Sequence, residues 1–168
     1  MISVCLLYVG IVLILNGIGT LCKCDPKAVA VMNFFTGGLS VIINVINLVQ
    51  GNYYAAATGL LFGFTYLFVG INNVFRLEAV PVAWFSAFVA VNAVVFGTME
   101  GFVGIPAQGI SPDARWGVIW YLWAVLWATS FIEVVLKKSL GKLTPCLQIF
   151  EGVTTAWLPA IALLLGVW

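Results

Sequence analysis

Glu151 stands inside an apolar stretch of the sequence that covers residues 145–167. In hydrocarbon an ionised carboxylate costs on the order of several kcal/mol unless it meets water, a partner or a substrate. We therefore interpret Glu151 as the first candidate for a functional site. The alternative is a carboxyl group that stays neutral or is bonded to a neighbouring helix.

A second acid, Glu133, stands near the end of the apolar stretch 116–136 and precedes Lys137 by four residues. On a helix this order favours an ion pair between the two side chains. We predict an interfacial pair here, and keep as the alternative that Glu133 and Glu151 border one inner vestibule.

Aromatic side chains recur at helical spacing in RWGVIWYLWAVLW (115–127), at Trp116, Trp120, Trp123 and Trp127. At about 100° per residue the four rings share one side of a helix. At about 1.5 Å per residue they cover roughly 16 Å, about half the hydrocarbon thickness of a bilayer, which is deeper than an interfacial belt. Phe62 and Tyr66 share a face of another predicted helix, although such aromatic pairs are more often packing residues.

The elements that carry these residues are membrane helices. Of the 168 residues 63% are hydrophobic and 8% are charged, a balance that excludes a soluble globular fold. Apolar stretches over 2–21, 28–49, 53–75, 80–99, 116–136 and 145–167 are each long enough to span a bilayer. We predict an all-α integral membrane protein with six transmembrane helices in a single domain, 1–168.

The basic residues indicate the orientation. The first, third and fifth loops contain six of the seven, namely Lys23, Lys27, Arg76, Lys137, Lys138 and Lys142. Because positive loops stay in the cytoplasm, both termini are expected outside. A net charge of +1, confined to membrane borders, gives no reason to expect nucleic-acid binding.

Other polar and small residues favour helix packing. Buried asparagine, serine and threonine side chains are expected mostly to bond between helices, and Gly59 and Gly63 form a GxxxG motif. Pro159 is expected to bend the sixth helix. The four cysteines lack metal-ligand spacing and are interpreted as free thiols, so no metal or cofactor is predicted.

Six segments together resemble the UreI/AmiS family of bacterial urea and amide channels. They are LLYVGIVLILNG (6–17), DPKAVAVMNFFTGGLS (25–40), ATGLLFGFTYLF (57–68), WYLWAVLW (120–127), LGKLTP (140–145) and EGVTTAWLPA (151–160). The DPK motif, the FFTGG run and the EG pair are closer to the urea-channel branch than to the amide branch.

The resemblance implies three two-helix hairpins around a pore in each protomer, and six protomers in a ring whose centre is filled by lipid. It also implies residues along the path of the solute: Leu6, Val9, Leu13, Phe62, Tyr66, Trp120, Trp123, Trp127 and Glu151. Trp123 and Trp127 would narrow the path, whereas Trp116 is interpreted as an interfacial anchor and Trp120 lies between these interpretations.

The implied function is a passive urea channel in the bacterial inner membrane that supplies a cytoplasmic urease. The chain has no histidine, and only residues 50–52 connect helices 2 and 3, where acid-activated members have a long histidine-bearing segment. We therefore predict a channel that is open at neutral pH.

Three other functions stay open. A channel for short aliphatic amides such as acetamide is the first, and a proton-coupled transporter that uses Glu151 and Glu133 is the second. An enzyme is the least favoured, because the sequence offers no histidine base, metal cluster or nucleophile motif.

Overall fold

The computed structural model describes residues 2–168, and these are almost entirely helical. The α-helices are α1 (Ile2–Leu21), α2 (Pro26–Val49), α3 (Tyr53–Phe75), α4 (Val80–Thr98), α5 (Ala114–Val134), α6 (Leu143–Glu151) and α7 (Leu158–Leu164). A π-helical segment, Gly152–Trp157, joins α6 to α7, so that the sixth span runs over Leu143–Leu164. The described residues thus contain six helical spans long and apolar enough to cross a membrane, which confirms that prediction.

Side-chain caps fix two of the helix starts. The Asp25 carboxylate accepts a hydrogen bond from the Lys27 amide, at 2.9 Å, and Pro26 occupies the first position of α2. Asp113 accepts in the same way from the Arg115 amide at the start of α5, at 3.0 Å. Both helices therefore begin two residues before the predicted limits, because a capping aspartate satisfies the first free amides.

The chain divides into two compact units. Unit 1 consists of residues 1–79 and 142–168, and unit 2 consists of residues 80–141. Unit 1 thus contains α1, α2, α3 and the sixth span, whereas unit 2 contains α4 and α5. The assignment of the whole chain to one channel domain stays a prediction.

Glycines allow close helix contacts in unit 1. A Cβ added at Gly10 would lie 2.9 Å from the Trp157 nitrogen, so α1 crosses the sixth span at backbone contact. A Cβ at Gly37 would lie 2.9 Å from the Leu67 nitrogen, which places α2 equally close to α3. Small residues make such approaches possible in membrane helices, where close packing replaces the hydrophobic effect.

A buried polar stripe follows one face of α2. Its members are separated by three or four residues and are 0–7% exposed: Asn33, Thr36, Ser40, Asn44 and Asn47. Asn33 exchanges two side-chain hydrogen bonds with Asn16 of α1, at 2.7 and 3.2 Å. The Ser40 hydroxyl donates to the Gly59 carbonyl of α3. The stripe therefore ties α2 to both neighbours.

Other polar side chains bond to their own helices, which corrects the prediction that most of them join helices. Thr65 donates to the Leu61 carbonyl, Ser86 to the Val82 carbonyl and Asn92 to the Phe88 carbonyl. A side chain four residues after a carbonyl can reach it without any neighbouring helix.

Unit 2 is a helix pair with a glycine contact and an aromatic interior. A Cβ at Gly101 would lie 2.5 Å from the Gly117 Cα atom. Phe96 and Trp120 pack with ring centroids 5.6 Å apart. The connection between α4 and α5 is ordered by a π-helical turn, Met99–Val103, and by an isolated bridge between Ile105 and Ile110.

The ends of the first, third and fifth helices share an unusual backbone conformation. Lys23, Arg76 and Lys137 have φ values of 55°, 55° and 54°, and among the described residues no other non-glycine residue has a positive φ. The left-handed conformation costs a residue other than glycine about 1–2 kcal/mol. A helix that ends in this way normally has glycine at that position.

Candidate functional site

Glu151 is the most unusual buried side chain of the protein. It is 0% exposed, and both carboxylate oxygens lack a hydrogen-bond partner among the described residues. A buried polar group without a partner is costly, and functional sites are where such costs are tolerated. The two oxygens therefore offer unused acceptor capacity inside an apolar span.

The local helix geometry fixes the position of Glu151. It ends α6, and the π-helical segment begins at the next residue, Gly152. The Leu158 amide donates to the Val153 carbonyl, five residues back, just before Pro159, which has no amide hydrogen to donate. This wide turn lies directly before Pro159, where a bend is expected, and such turns are frequent at functional sites.

Helix α1 contacts the sixth span at Gly152, the residue that follows Glu151. A Cβ added at Gly152 would lie 2.8 Å from the Gly10 carbonyl oxygen and 3.1 Å from the Leu13 Cβ atom. No side chain larger than hydrogen fits at Gly152 without a shift of α1. The predicted GxxxG motif did not indicate this contact, because Gly10 and Gly152 are far apart in sequence.

Leu6, Val9 and Leu13 share one face of α1 and are buried, with exposed fractions of 4%, 2% and 7%. Their spacing of three and four residues produces that common face. Leu13 also contacts Gly152, the residue that follows Glu151. These three positions form a buried apolar face of α1 in unit 1.

Tyr66 is the aromatic residue of unit 1 that the structure connects with Glu151. Its ring is buried, and its hydroxyl lies within electrostatic range of the Glu151 carboxylate. Phe62, one turn earlier on α3, is half-buried. Tyr66 and Glu151 thus bring a hydroxyl and a carboxylate into one part of unit 1.

The tryptophans of α5 belong to unit 2 and differ in burial. Trp120 and Trp123 are buried and pack edge to face, with ring centroids 5.1 Å apart and planes at 83°. Trp116 and Trp127 are half-buried. The edge-to-face arrangement is favourable for the ring quadrupoles and fixes two indoles side by side.

Glu133 has a partner other than the predicted one. Its carboxylate accepts a hydrogen bond from the Leu140 amide, at 3.3 Å, and no ion pair with Lys137 occurs among the described residues. The helix α5 ends at Val134, and Lys137 is left-handed, so the two residues lack the helical spacing that the ion pair requires.

The chain is similar over its whole length to known channels. An acid-activated urea channel of Helicobacter pylori, strain J99, is 45% identical over 194 aligned positions that cover 100% of both chains. A Mycolicibacterium smegmatis protein named for the transport of amidate substrates is 40% identical, over 97% of this chain and 76% of its own length.

Solved structures agree with the sequence comparisons. A cryo-electron microscopy structure of the Helicobacter pylori urea channel in a closed state superposes with a TM-score of 0.91 at 46% identity, over 100% of both chains. A crystal structure of that organism's urea channel gives a TM-score of 0.86 at 47% identity, over 100% of this chain and 99% of the other. The family described as AmiS/UreI family transporter matches residues 1–167, and the chain belongs to the AmiS/UreI family.

Proposed function

We propose that this protein is a passive membrane channel for urea. The observation that carries the proposal is the Glu151 carboxylate, which is fully buried in a membrane span with two unpaired oxygens. Relatives that are named urea channels, with 45% identity over the whole chain, support urea as the solute. Urea is small, planar and neutral, and its amide hydrogens match an unused pair of acceptors.

The path of the solute combines an apolar wall with polar groups. Leu6, Val9 and Leu13 supply the wall on α1, and Glu151 accepts from urea amide groups near the inner end. The Tyr66 hydroxyl lies within range of Glu151 and is the second polar group of the path. Phe62 adds a flat ring one turn away on α3.

The indoles of α5 supply the narrow part of the path in this proposal. Trp123 and Trp127 constrict it, and Trp120 holds Trp123 edge to face. Flat rings match a planar solute, and indole N–H groups replace part of its hydration. An ion loses far more hydration energy than a neutral solute, on the order of tens of kcal/mol in the idealised limit, so salts are excluded.

The proposed channel is open at neutral pH. Its sequence has no histidine, the side chain that titrates near neutrality without a perturbed pKa. Helices α2 and α3 are joined by Gln50, Gly51 and Asn52 alone. The alignment with the acid-activated relative runs over 194 positions for 168 residues, so 26 positions of the relative have no counterpart here.

Short aliphatic amides are the second candidate solute. The observation that favours them is the 40% identity to a protein named for amidate substrates. Acetamide shares the planar amide group of urea and would meet the same acceptors. The extra methyl group of acetamide would discriminate between the two solutes at the narrowest point.

The assembly and the location belong to the same proposal. The chain forms three two-helix hairpins around a pore, in a hexameric ring filled by lipid, and lies in the bacterial inner membrane. Both termini face outward, since the basic loops stay inside. A cytoplasmic urease is the proposed partner that consumes the solute.

Stopped-flow swelling of proteoliposomes tests the function. We expect fast, gradient-driven entry of urea, slower entry of acetamide and thiourea, and glycerol entry at the rate of empty liposomes. If acetamide entered faster than urea, the protein would instead be assigned to the amide branch of the family. Urea entry at the rate of empty liposomes would refute the channel.

Two further measurements test the mechanism. Urea permeability measured between pH 8 and pH 5 should stay constant within about a factor of two, and a steep rise in mild acid would refute the ungated channel. Accumulation of urea against its gradient, driven by a proton gradient and lost in Glu151→Gln, would replace the channel with a proton-coupled transporter.

A further inference from the structure

Three positive side chains occupy backbone positions that normally require glycine. Lys23, Arg76 and Lys137 end α1, α3 and α5 in the left-handed conformation. Glycine at each position would remove the strain, because it has no Cβ atom. The chain contains 17 glycines and places five of them at positive φ, yet none at these three helix ends. Glycine would avoid this backbone strain, so the basic side chains at these three positions must have a role that glycine lacks.

Backbone hydrogen bonds close the left-handed turn at two of these ends. At α1 the Cys24 amide donates to the Gly19 carbonyl at 2.8 Å, and the Lys23 amide donates to the Thr20 carbonyl at 3.3 Å. These two bonds form the Schellman arrangement in which the left-handed residue is usually glycine. At α5 the turn is one residue wider, with the Lys138 amide bonded to the Ile132 carbonyl.

The three side chains are available to a ligand outside the chain. All three are exposed, and no ion pair of Lys23, Arg76 or Lys137 occurs among the described residues. The helix dipole favours a cation at a C-terminus, but this effect is small and screened at an exposed position. It does not explain a strained backbone at all three ends.

The location of the three residues indicates the ligand. Each follows the last residue of its membrane span within three positions, since the spans end at Leu21, Phe75 and Val134. Consecutive spans cross in opposite directions, so the ends of the first, third and fifth face the same membrane surface. The headgroups of anionic lipids lie at that depth and attract basic residues there.

We propose that Lys23, Arg76 and Lys137 bind the phosphate groups of anionic lipids, one at the end of each odd-numbered span. Because the backbone is left-handed, each side chain leaves the chain in a different direction from that of a helical residue. It does so at the depth of the lipid headgroups. The site does not depend on the identity of the solute. It predicts that anionic lipid stabilises the protein, and that this stabilisation is lost when glycine replaces the three residues.

The test is a titration of phosphatidylglycerol into the purified protein in phosphatidylcholine micelles. Intrinsic tryptophan fluorescence follows the midpoint of thermal unfolding. We expect the midpoint to rise with phosphatidylglycerol in the natural chain. In the variant K23G/R76G/K137G we expect the concentration for half of the effect to rise about fivefold, because each of the three sites loses one cation and a cation contributes about a fivefold change in affinity.

Matched variants keep the proposal falsifiable. K27Q/K138Q/K142Q removes the same number of charges, one at the start of α2 and two from the fifth loop, and should change the half-effect concentration by no more than about twofold. K23R/R76K/K137R keeps the charges and should respond like the natural chain. Equal losses in the glycine and glutamine variants would overturn the proposal, because net charge alone would then explain the response.

Folding and the source of the phosphate are tested in the same experiment. The glycine variant relieves backbone strain, so in pure phosphatidylcholine its unfolding midpoint should equal or exceed that of the natural chain. Inorganic phosphate added without anionic lipid should leave the midpoint unchanged. A rise with inorganic phosphate equal to that with phosphatidylglycerol would overturn the assignment to lipid headgroups.

Discussion

The two units of this protein use different chemistry in their interiors. Unit 1 buries a carboxylate at Glu151 and the polar stripe of α2, including Asn33 and Asn44. Unit 2 buries indoles and small apolar residues, and its buried hydroxyls, Ser86 and Thr129, donate within their own helices. In both units glycines allow the helices to approach closely, so the helix packing is similar although the interior groups differ.

The difference separates two requirements of a channel for a neutral polar solute. Polar groups must replace lost hydration, and rigid walls must exclude solutes of the wrong shape. In the proposed channel the acceptor belongs to unit 1, and the pair of indoles belongs to unit 2. Substitutions in unit 1 should therefore change the rate of urea entry, whereas those in unit 2 should change selectivity.

The largest effect is expected at Glu151. Glu151→Ala removes both acceptors, and urea permeability should fall at least tenfold in stopped-flow assays, since one unreplaced hydrogen bond costs about 1–3 kcal/mol. Glu151→Gln keeps a carbonyl acceptor and should retain more than a third of the rate. Glu133→Gln is the matched control and should stay near the natural rate. Full activity of Glu151→Ala would show that the carboxylate is a packing residue.

A selectivity effect is expected at Trp123. Trp123→Ala removes a buried indole from its edge-to-face pair and should raise the permeability ratio of thiourea to urea several-fold. Trp84→Ala is the control, because that indole is 58% exposed and packs on Phe131. If Trp123→Ala lowered urea entry without changing the ratio, the division between the two units would be wrong.

The effect of replacing a glycine by alanine on stability should depend on the space around the added Cβ atom. Gly101→Ala in unit 2 would place a Cβ atom 2.5 Å from the Gly117 Cα atom and should destabilise the protein by about 1–3 kcal/mol. Gly38 in unit 1 has nothing within 4 Å of its Cβ position, so Gly38→Ala should stabilise by up to about 1 kcal/mol. Thermal unfolding in detergent measures both, and equal shifts would contradict the described packing.

A smaller stability effect is expected in the polar stripe. Asn33→Ala removes the paired bonds with Asn16 and should cost about 0.6–2 kcal/mol of unfolding free energy. Asn92→Ala in unit 2 loses only a bond to the Phe88 carbonyl of its own helix and should change stability by less than about 0.5 kcal/mol. A larger loss at Asn92 would contradict the contrast between the two interiors.

The smallest effect is expected at Asp113, in the loop before α5. Hydrogen bonds from the Arg115 side chain lower the pKa of the Asp113 carboxyl below its ordinary value. The ionised form is thus favoured on folding, and its contribution is present above the ordinary pKa of about 3.9 and is lost as pH falls through the lowered value.

Asp113→Asn should therefore lower the unfolding midpoint slightly at neutral pH and leave it unchanged in strong acid. Urea permeability should not change between pH 8 and pH 5 in either form, because Asp113 stays ionised there. Thermal unfolding and stopped-flow assays over this range provide the check. If urea permeability became dependent on pH in Asp113→Asn, Asp113 would be a pH sensor rather than a helix cap.

Much of the fold follows from the sequence, because long apolar runs leave a bilayer as the only compatible solvent. The same reasoning identified Glu151, since an acid within such a run has no local partner. The predicted ion pair between Glu133 and Lys137 was wrong, because the residue at which α5 ends depends on backbone conformation that the apolar run does not indicate. The left-handed residues at 23, 76 and 137 were not predicted, since a basic residue carries no local signal for positive φ.

The close approach of Gly10 and Gly152 also could not be predicted. Each glycine alone is compatible with any position in an apolar helix, and their pairing depends on how α1 crosses the sixth span. The same applies to Tyr66, whose electrostatic interaction with Glu151 joins two spans that are far apart in sequence. Contacts between distant segments determine the site, whereas the spans follow from local composition.

The π-helical segment Gly152–Trp157 has a consequence for tolerance to insertion and deletion. A wide turn accommodates one residue more than an α-turn of the same height, and each residue of an α-helix adds about 100° of rotation. Deletion of Val153 would convert the segment to an ordinary helix and leave α7 at its present angle to Glu151, whereas the same deletion in a regular α-helix would rotate the following residues by about that angle. The wide turn thus lets the sixth span gain or lose one residue without a change in the angle between its two halves.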